Sequence, residues 1–148
     1  MNHKLYVPLL ILPLIYLCAC TGQGVLPPLP KDVLEFDASM EVLGVDQTNG
    51  DVTVEYTLIL KNIGEDTLEK VILKDFNTPR DVVMREDYFE ITDLDAGEEY
   101  AVIFNVVVLG WAAGDETEQT WEVDYTIRIE EGSAYTEQEG FYSIELYR

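Results

Sequence analysis

The stretch VTVEYTLILKN, residues 52–62, decides the fold. Val52, Val54, Tyr56, Leu58 and Leu60 fall on every second position, with Thr53, Glu55, Thr57 and Lys61 between them and Ile59 as the one apolar exception. A period of two is the pattern of a strand with one buried face and one wet face. Asn49-Gly50-Asp51 stands just before it, and Asn-Gly is the dipeptide of tight hairpin turns. Upstream, Leu34, Phe36, Ala38, Met40 and Val42 alternate with polar residues, so the two runs read as hairpin partners.

The same reading continues downstream. Asn62-Ile63-Gly64-Glu65-Asp66 is a turn, and residues 68–76 are a third strand with Val71 and Leu73 facing in. Residues 77–81 are a loop, and residues 88–92 a short strand closed by Asp93-Leu94-Asp95-Ala96-Gly97-Glu98. Tyr100, Val102, Phe104, Val106 and Val108 alternate strongly, but Ala101, Ile103 and Val107 are apolar too. Apolarity on both sides predicts a strand covered on both faces or one close to a partner. Gly110 to Gly114 interrupts. Trp121, Val123, Tyr125, Ile127 and Ile129 alternate again, Glu131-Gly132-Ser133 turns the chain, and Tyr142, Ile144 and Leu146 close it. About seven strands with turn signals between them, and no helical period, predict an all-β chain folded as an antiparallel β-sandwich over residues 34–148.

Part of this run resembles the small immunoglobulin-like modules of the CARDB and DUF11 type, found on archaeal and bacterial surfaces. The resemblance is carried by Val54 to Gly64, by Leu68 to Asp75, and by Leu94-Asp95-Ala96-Gly97-Glu98. It covers roughly half of the chain after Cys20. It implies an immunoglobulin-like topology and leaves function open, because one fold carries many functions.

The start of the chain is of a different kind. After Met1-Asn2-His3-Lys4, residues 5–20 are almost wholly apolar. A bilayer span needs about 20 apolar residues, so this run has the length of a signal-peptide core instead. It ends in Leu17-Cys18-Ala19-Cys20, which resembles the lipobox of prokaryotic lipoproteins. The resemblance implies cleavage after Ala19, a diacylglyceryl group on the Cys20 sulfur, and a signal peptide spanning residues 1–19. An ordinary secretory signal and an uncleaved anchor are the alternatives. Thr21 after Cys20 resembles the choice for outer-membrane sorting, where the envelope has such a membrane. Residues 20–33 then form a lipidated N-terminus and a linker rich in Pro and Gly. Pro27-Pro28-Leu29-Pro30 favours an extended chain, and residues 21–34 reach at most ~45 Å at roughly 3.3 Å per residue.

Composition narrows the chemistry. The only histidine is His3, and the only cysteines are Cys18 and Cys20. Once the signal is removed and Cys20 acylated, no thiol is left to form a disulfide and no imidazole to act as base. Triad chemistry of the Ser-His or Cys-His kind then has no residues to use, nor do zinc, copper or haem sites of the usual ligand sets. No Gly-rich phosphate loop is present. We expect no cofactor, no metal site and no catalytic residue. From Cys20 onward eight Lys and Arg face 29 Asp and Glu, a formal charge of −21. Such a surface repels nucleic acid and anionic head groups.

Two loop features are candidates for binding. Trp111, in Gly110-Trp111-Ala112-Ala113-Gly114, is either a binding tip or a plug folded onto the end of the sandwich. Asp46-Gln47-Thr48-Asn49-Gly50-Asp51 has some character of a calcium loop but lacks the spacing and the distal Glu of one. With immunoglobulin-like topology, the loops at 46–51, 76–86 and 110–118 cluster at the end away from the tether. The expectation is an exported lipoprotein, held at the cell surface or in the periplasm through Cys20, carrying a non-catalytic binding or structural module with a possible envelope protein as partner. An accessory protein that binds a cation or a small ligand is the alternative.

Overall fold

The computed structural model describes residues 32–147. Residues 1–31, with Cys20 and nearly all of the linker, lie outside the described residues. Eight strands follow one another: β1 (Leu34–Val45), β2 (Val52–Asn62), β3 (Leu68–Asn77), β4 (Val82–Met84), β5 (Phe89–Leu94), β6 (Glu99–Val108), β7 (Glu118–Glu131) and β8 (Ala134–Tyr147). One 3-10 turn, Trp111–Ala113, separates β6 from β7. The strands form two antiparallel sheets in the orders β1-β2-β6-β4 and β5-β3-β7-β8. The chain crosses repeatedly between sheets, as an immunoglobulin-like sandwich requires.

The pattern in residues 52–62 is realised residue for residue. Val52, Val54, Tyr56, Leu58 and Leu60 are buried, while the residues between them are only partly covered. Each apolar side chain so removed from water contributes about 1.5–3 kcal/mol. From the second sheet, Val71, Leu73, Val123, Ile127, Ile129 and Ile144 meet them in one continuous core. An aromatic group fills its middle. Tyr142 lies 4.4 Å from Tyr56, Phe104 stacks on Tyr56 at 5.6 Å, and Phe76 stacks on Tyr125 at 5.1 Å.

Register fixes the polarity of the domain. β1 starts at Leu34 opposite Asn62 and ends at Val45 opposite Val52, and Val52 pairs onward with Val108. The chain therefore enters at one end, called proximal below, while Val45, Val52 and Val108 mark the distal end. β8 finishes distally, with Tyr147 opposite Glu118.

The expected sandwich is present with eight strands in place of about seven. The added one, β4, lies inside the stretch 76–86, where three residues are too few to display a period. β7 and β8 are also longer than the alternation suggested, each running for 14 residues. The covered second face expected of the doubly apolar strand is not found: β6 is central in its sheet, but its outer face is open, with Ile103 55% exposed.

Candidate functional site

The distal loops cluster as the strand directions require. The turn between β1 and β2 is closed by its own carboxylates. Asp46 Oδ1 accepts from the Thr48 amide at 2.8 Å, Asn49 Nδ2 donates to Asp51 Oδ2 at 2.8 Å, and the Asp51 amide donates to Asn49 Oδ1 at 3.0 Å. Asp51 Oδ1 then accepts from the Gly110 amide at 2.8 Å, which latches this turn to the 3-10 turn. The Ala112 amide donates to the Gly50 carbonyl at 2.8 Å in the same contact. Gly50 has φ +79°, and a Cβ there would lie 2.5 Å from the Ala113 nitrogen. Only glycine fits, on both counts.

Trp111 takes the plug alternative. Its side chain is 6% exposed and meets Trp121 edge to face at 5.5 Å. Trp121 Nε1 donates to Asp81 Oδ2 at 3.2 Å, and the Asp81 carbonyl accepts from the Leu109 amide at 2.8 Å. The two tryptophans and Asp81 thus seal the distal end of the core. Gly110, with φ +66°, turns the chain back to bring this about. The loop offers a partner no exposed indole.

Other acidic loop residues are separated. Asp95 and Glu98 lie at the proximal end, where Asp95 Oδ1 accepts from the Thr67 hydroxyl at 2.7 Å and Glu98 Oε2 from the Asp95 amide at 2.9 Å. Glu99 pairs with Lys61 at 3.0 Å. Asp115, Glu116 and Glu118 are exposed near the distal end. Among the described residues, no three His, Cys, Asp or Glu side chains are grouped to hold a metal ion. Open depressions lie beside β6, one of ≈ 370 Å³ touching Arg85, Glu86, Ile103 and Asn105.

The outer face of the β5-β3-β7-β8 sheet is the most differentiated surface. Its proximal half is an ion-pair lattice. Lys70 reaches Glu90 at 3.5 Å and Glu130 at 3.9 Å, Lys74 reaches Glu137 at 3.0 Å, and Arg128 reaches Glu130 at 2.7 Å. Arg128 also lies over the Tyr135 ring, 3.9 Å from its centre. The hydrogen bond from Lys74 holds the Glu137 carboxyl below its ordinary value. The distal half carries Glu118, Glu122 and Asp124 on β7 and Glu139 and Glu145 on β8, all exposed. None of these five forms an ion pair with another described residue. Among them stand Phe141, 65% exposed, and Tyr147, 63% exposed.

This face is absent from the set of sequence-derived candidates. Tyr142, Ile144 and Leu146 are buried, and by parity Phe141, Ser143, Glu145 and Tyr147 turn to the outer face. The signal was an aromatic residue out of phase with the core set.

No family model matches the chain, and no curated protein matches it.

Proposed function

We propose that the chain is an exported, non-catalytic lipoprotein of the cell envelope or surface, held by a diacylglyceryl group on Cys20 and displaying its sandwich to a partner. The observation that carries this reading is the sequence Leu17-Cys18-Ala19-Cys20 at the end of an apolar run, and strand direction is compatible with it. β1 begins at the end of the sandwich opposite the Trp111 loop, so a chain tethered ahead of Asp32 holds the domain by its proximal end. The distal loops and the end of β8 then face away from the membrane. Leu17-Cys18-Ala19-Cys20 supplies the attachment, and the linker supplies the reach. Two acyl chains hold a protein stably where one does not. The domain needs no apolar membrane-binding patch, and its negative charge keeps it off anionic head groups.

Membrane fractionation tests the reading. Wild-type protein stays with membranes through a high-salt wash and enters the detergent phase on phase separation. Cys20→Ser is neither acylated nor cleaved at Ala19. Wild-type protein released into the soluble fraction, or partitioning of wild type by a route that leaves its Cys20 unmodified, contradicts the proposal.

A further inference from the structure

The free edge of β8 and the outward face beside it form a surface with three properties. First, β8 is long and regular: it pairs with β7 from Glu131–Ala134 to Glu118–Tyr147 with no register shift. The opposite sheet's edge strand, β1, is by contrast broken by a bulge between Val42 and Gly44. An unbulged edge of this length is a template for another strand, and proteins usually bend or shield such edges. Second, the face is aromatic: Phe141 and Tyr147 stand outward with most of their surface in water. Third, most of its carboxylates, Glu118, Glu122, Asp124, Glu139 and Glu145, form no ion pair with another described residue. Asp124 lies directly opposite Phe141, Thr126 opposite Glu139, and Glu118 opposite Tyr147. A depression of ≈ 240 Å³ beside them is bounded by Asp124, Thr126, Glu139 and Asp75, the last paired with Lys74 at 3.3 Å. The cations of this sheet, Lys70, Lys74 and Arg128, are already paired with Glu90, Asp75, Glu130 and Glu137, and Lys74 stands level with Glu139 across Thr126.

We propose that β8 accepts a strand from a cationic partner protein, with alternate Arg or Lys side chains laid across Phe141 and into the carboxylates of Asp124 and Glu139. Charge complementarity selects this occupant. A strand added to β8 projects every second side chain onto the same face, about 6.6–6.8 Å apart. That repeat matches Glu139, Phe141, Ser143, Glu145 and Tyr147. A guanidinium stacks on an aromatic ring and pairs with a carboxylate at once, which favours Arg at the position over Phe141. The same carboxylates repel a second copy of this acidic chain, so they select for a cationic strand as well as bind it. The proposal deepens the binding role suggested above by naming the partner's chemistry. It does not depend on Cys20.

The test uses the full chain in detergent micelles and a labelled peptide alternating Arg and Thr, with a counterpart carrying Glu for each Arg. Fluorescence anisotropy reads binding, and amide hydrogen exchange reads the edge. The Arg peptide binds and slows exchange along β8, while the Glu peptide does not bind. Phe141→Ala weakens binding about tenfold. Asp124→Asn with Glu139→Gln weakens it by a similar factor and flattens its salt dependence. Glu35→Gln with Glu41→Gln, on β1, changes it less than about twofold, because these charges sit on the other sheet. Four results overturn the proposal: no binding; binding indifferent to Phe141→Ala; equal loss in the β1 variant, which marks attraction to net charge alone; or self-association of the chain that Phe141→Ala abolishes. Cys20→Ser protein binds the peptide as wild type does, so failure of the anchor and failure of this site are read separately.

Discussion

Asn62 is fully buried and joins three segments. Its Nδ2 donates to the Asp66 carbonyl at 2.8 Å and to the Leu94 carbonyl at 2.9 Å, and its Oδ1 accepts from the Gly64 amide at 2.9 Å. Its backbone adds two further bonds: its amide donates to the Glu98 carbonyl at 3.0 Å, and its carbonyl accepts from the Gly97 amide at 2.8 Å. One side chain thus shapes the β2–β3 turn and ties it to the β5–β6 turn. Asn62→Ala leaves two carbonyls and one amide without this partner and costs about 2–4 kcal/mol at roughly 1–3 kcal/mol per orphaned group, with water recovering part. Urea denaturation checks this; a midpoint within error of wild type contradicts it. Asn62, Gly64 and Gly97 were visible in the sequence as turn residues. Their mutual bonds were not, because Asn62 and Leu94 are brought together only when the two sheets close. The tyrosines give a second prediction. Burial pushes Tyr125 up to about 12 and Tyr142 higher still, whereas an unfolded tyrosine ionises near 10. Above pH 10 the unfolded chain loses protons that the folded chain keeps, so stability falls as pH rises and is flat below that value. Urea midpoints from pH 8 to 11.5 follow this course, and Tyr142→Phe reduces the slope. An unchanged slope contradicts the assignment.

At the scale of elements, period two located seven of the eight strands. It failed where an element was too short, as at Val82–Met84, or where the alternation carried few apolar residues, as in the first half of β8. Thr136 and Gly140 stand there at positions that a core strand usually gives to larger apolar residues. Gly140 has a reason that the sequence concealed. The Tyr125 ring lies over it from the paired position on β7, and a Cβ at residue 140 would meet Tyr125 Cζ at 2.7 Å. Glycine accommodates the ring that Phe76 stacks on from β3. Gly140→Ala therefore costs stability, by about 1–3 kcal/mol, through displacement of the ring and not through helix or strand preference. Thermal unfolding reads the loss, and the double variant Gly140→Ala with Tyr125→Leu recovers part of it. No recovery contradicts the packing argument. β6 is the complementary case: its two-sided apolarity was plain in the sequence, but periodicity alone gave no information on whether the second face is covered.

As a whole molecule the domain is differentiated along its length. The proximal end is organised by Asn62, the distal end is sealed by Trp111 and Trp121, and the outer face of one sheet passes from paired charges to unpaired ones. The Trp111 loop illustrates the limit of reading loops from composition. Glycines flanking a tryptophan fit an exposed tip and an inward plug equally well, and the latch from Asp51 to Gly110 decides for the plug. In the proposed reading, the excess negative charge selects positively charged partners. These features acquire a common purpose only if the proximal end is the tethered one. The most direct measurement is mass spectrometry of the N-terminal peptide from the membrane-extracted protein. The account predicts a chain beginning at Cys20, with residues 1–19 removed and a diacylglyceryl group on the cysteine sulfur. An unmodified Cys20 still joined to Ala19 would contradict it.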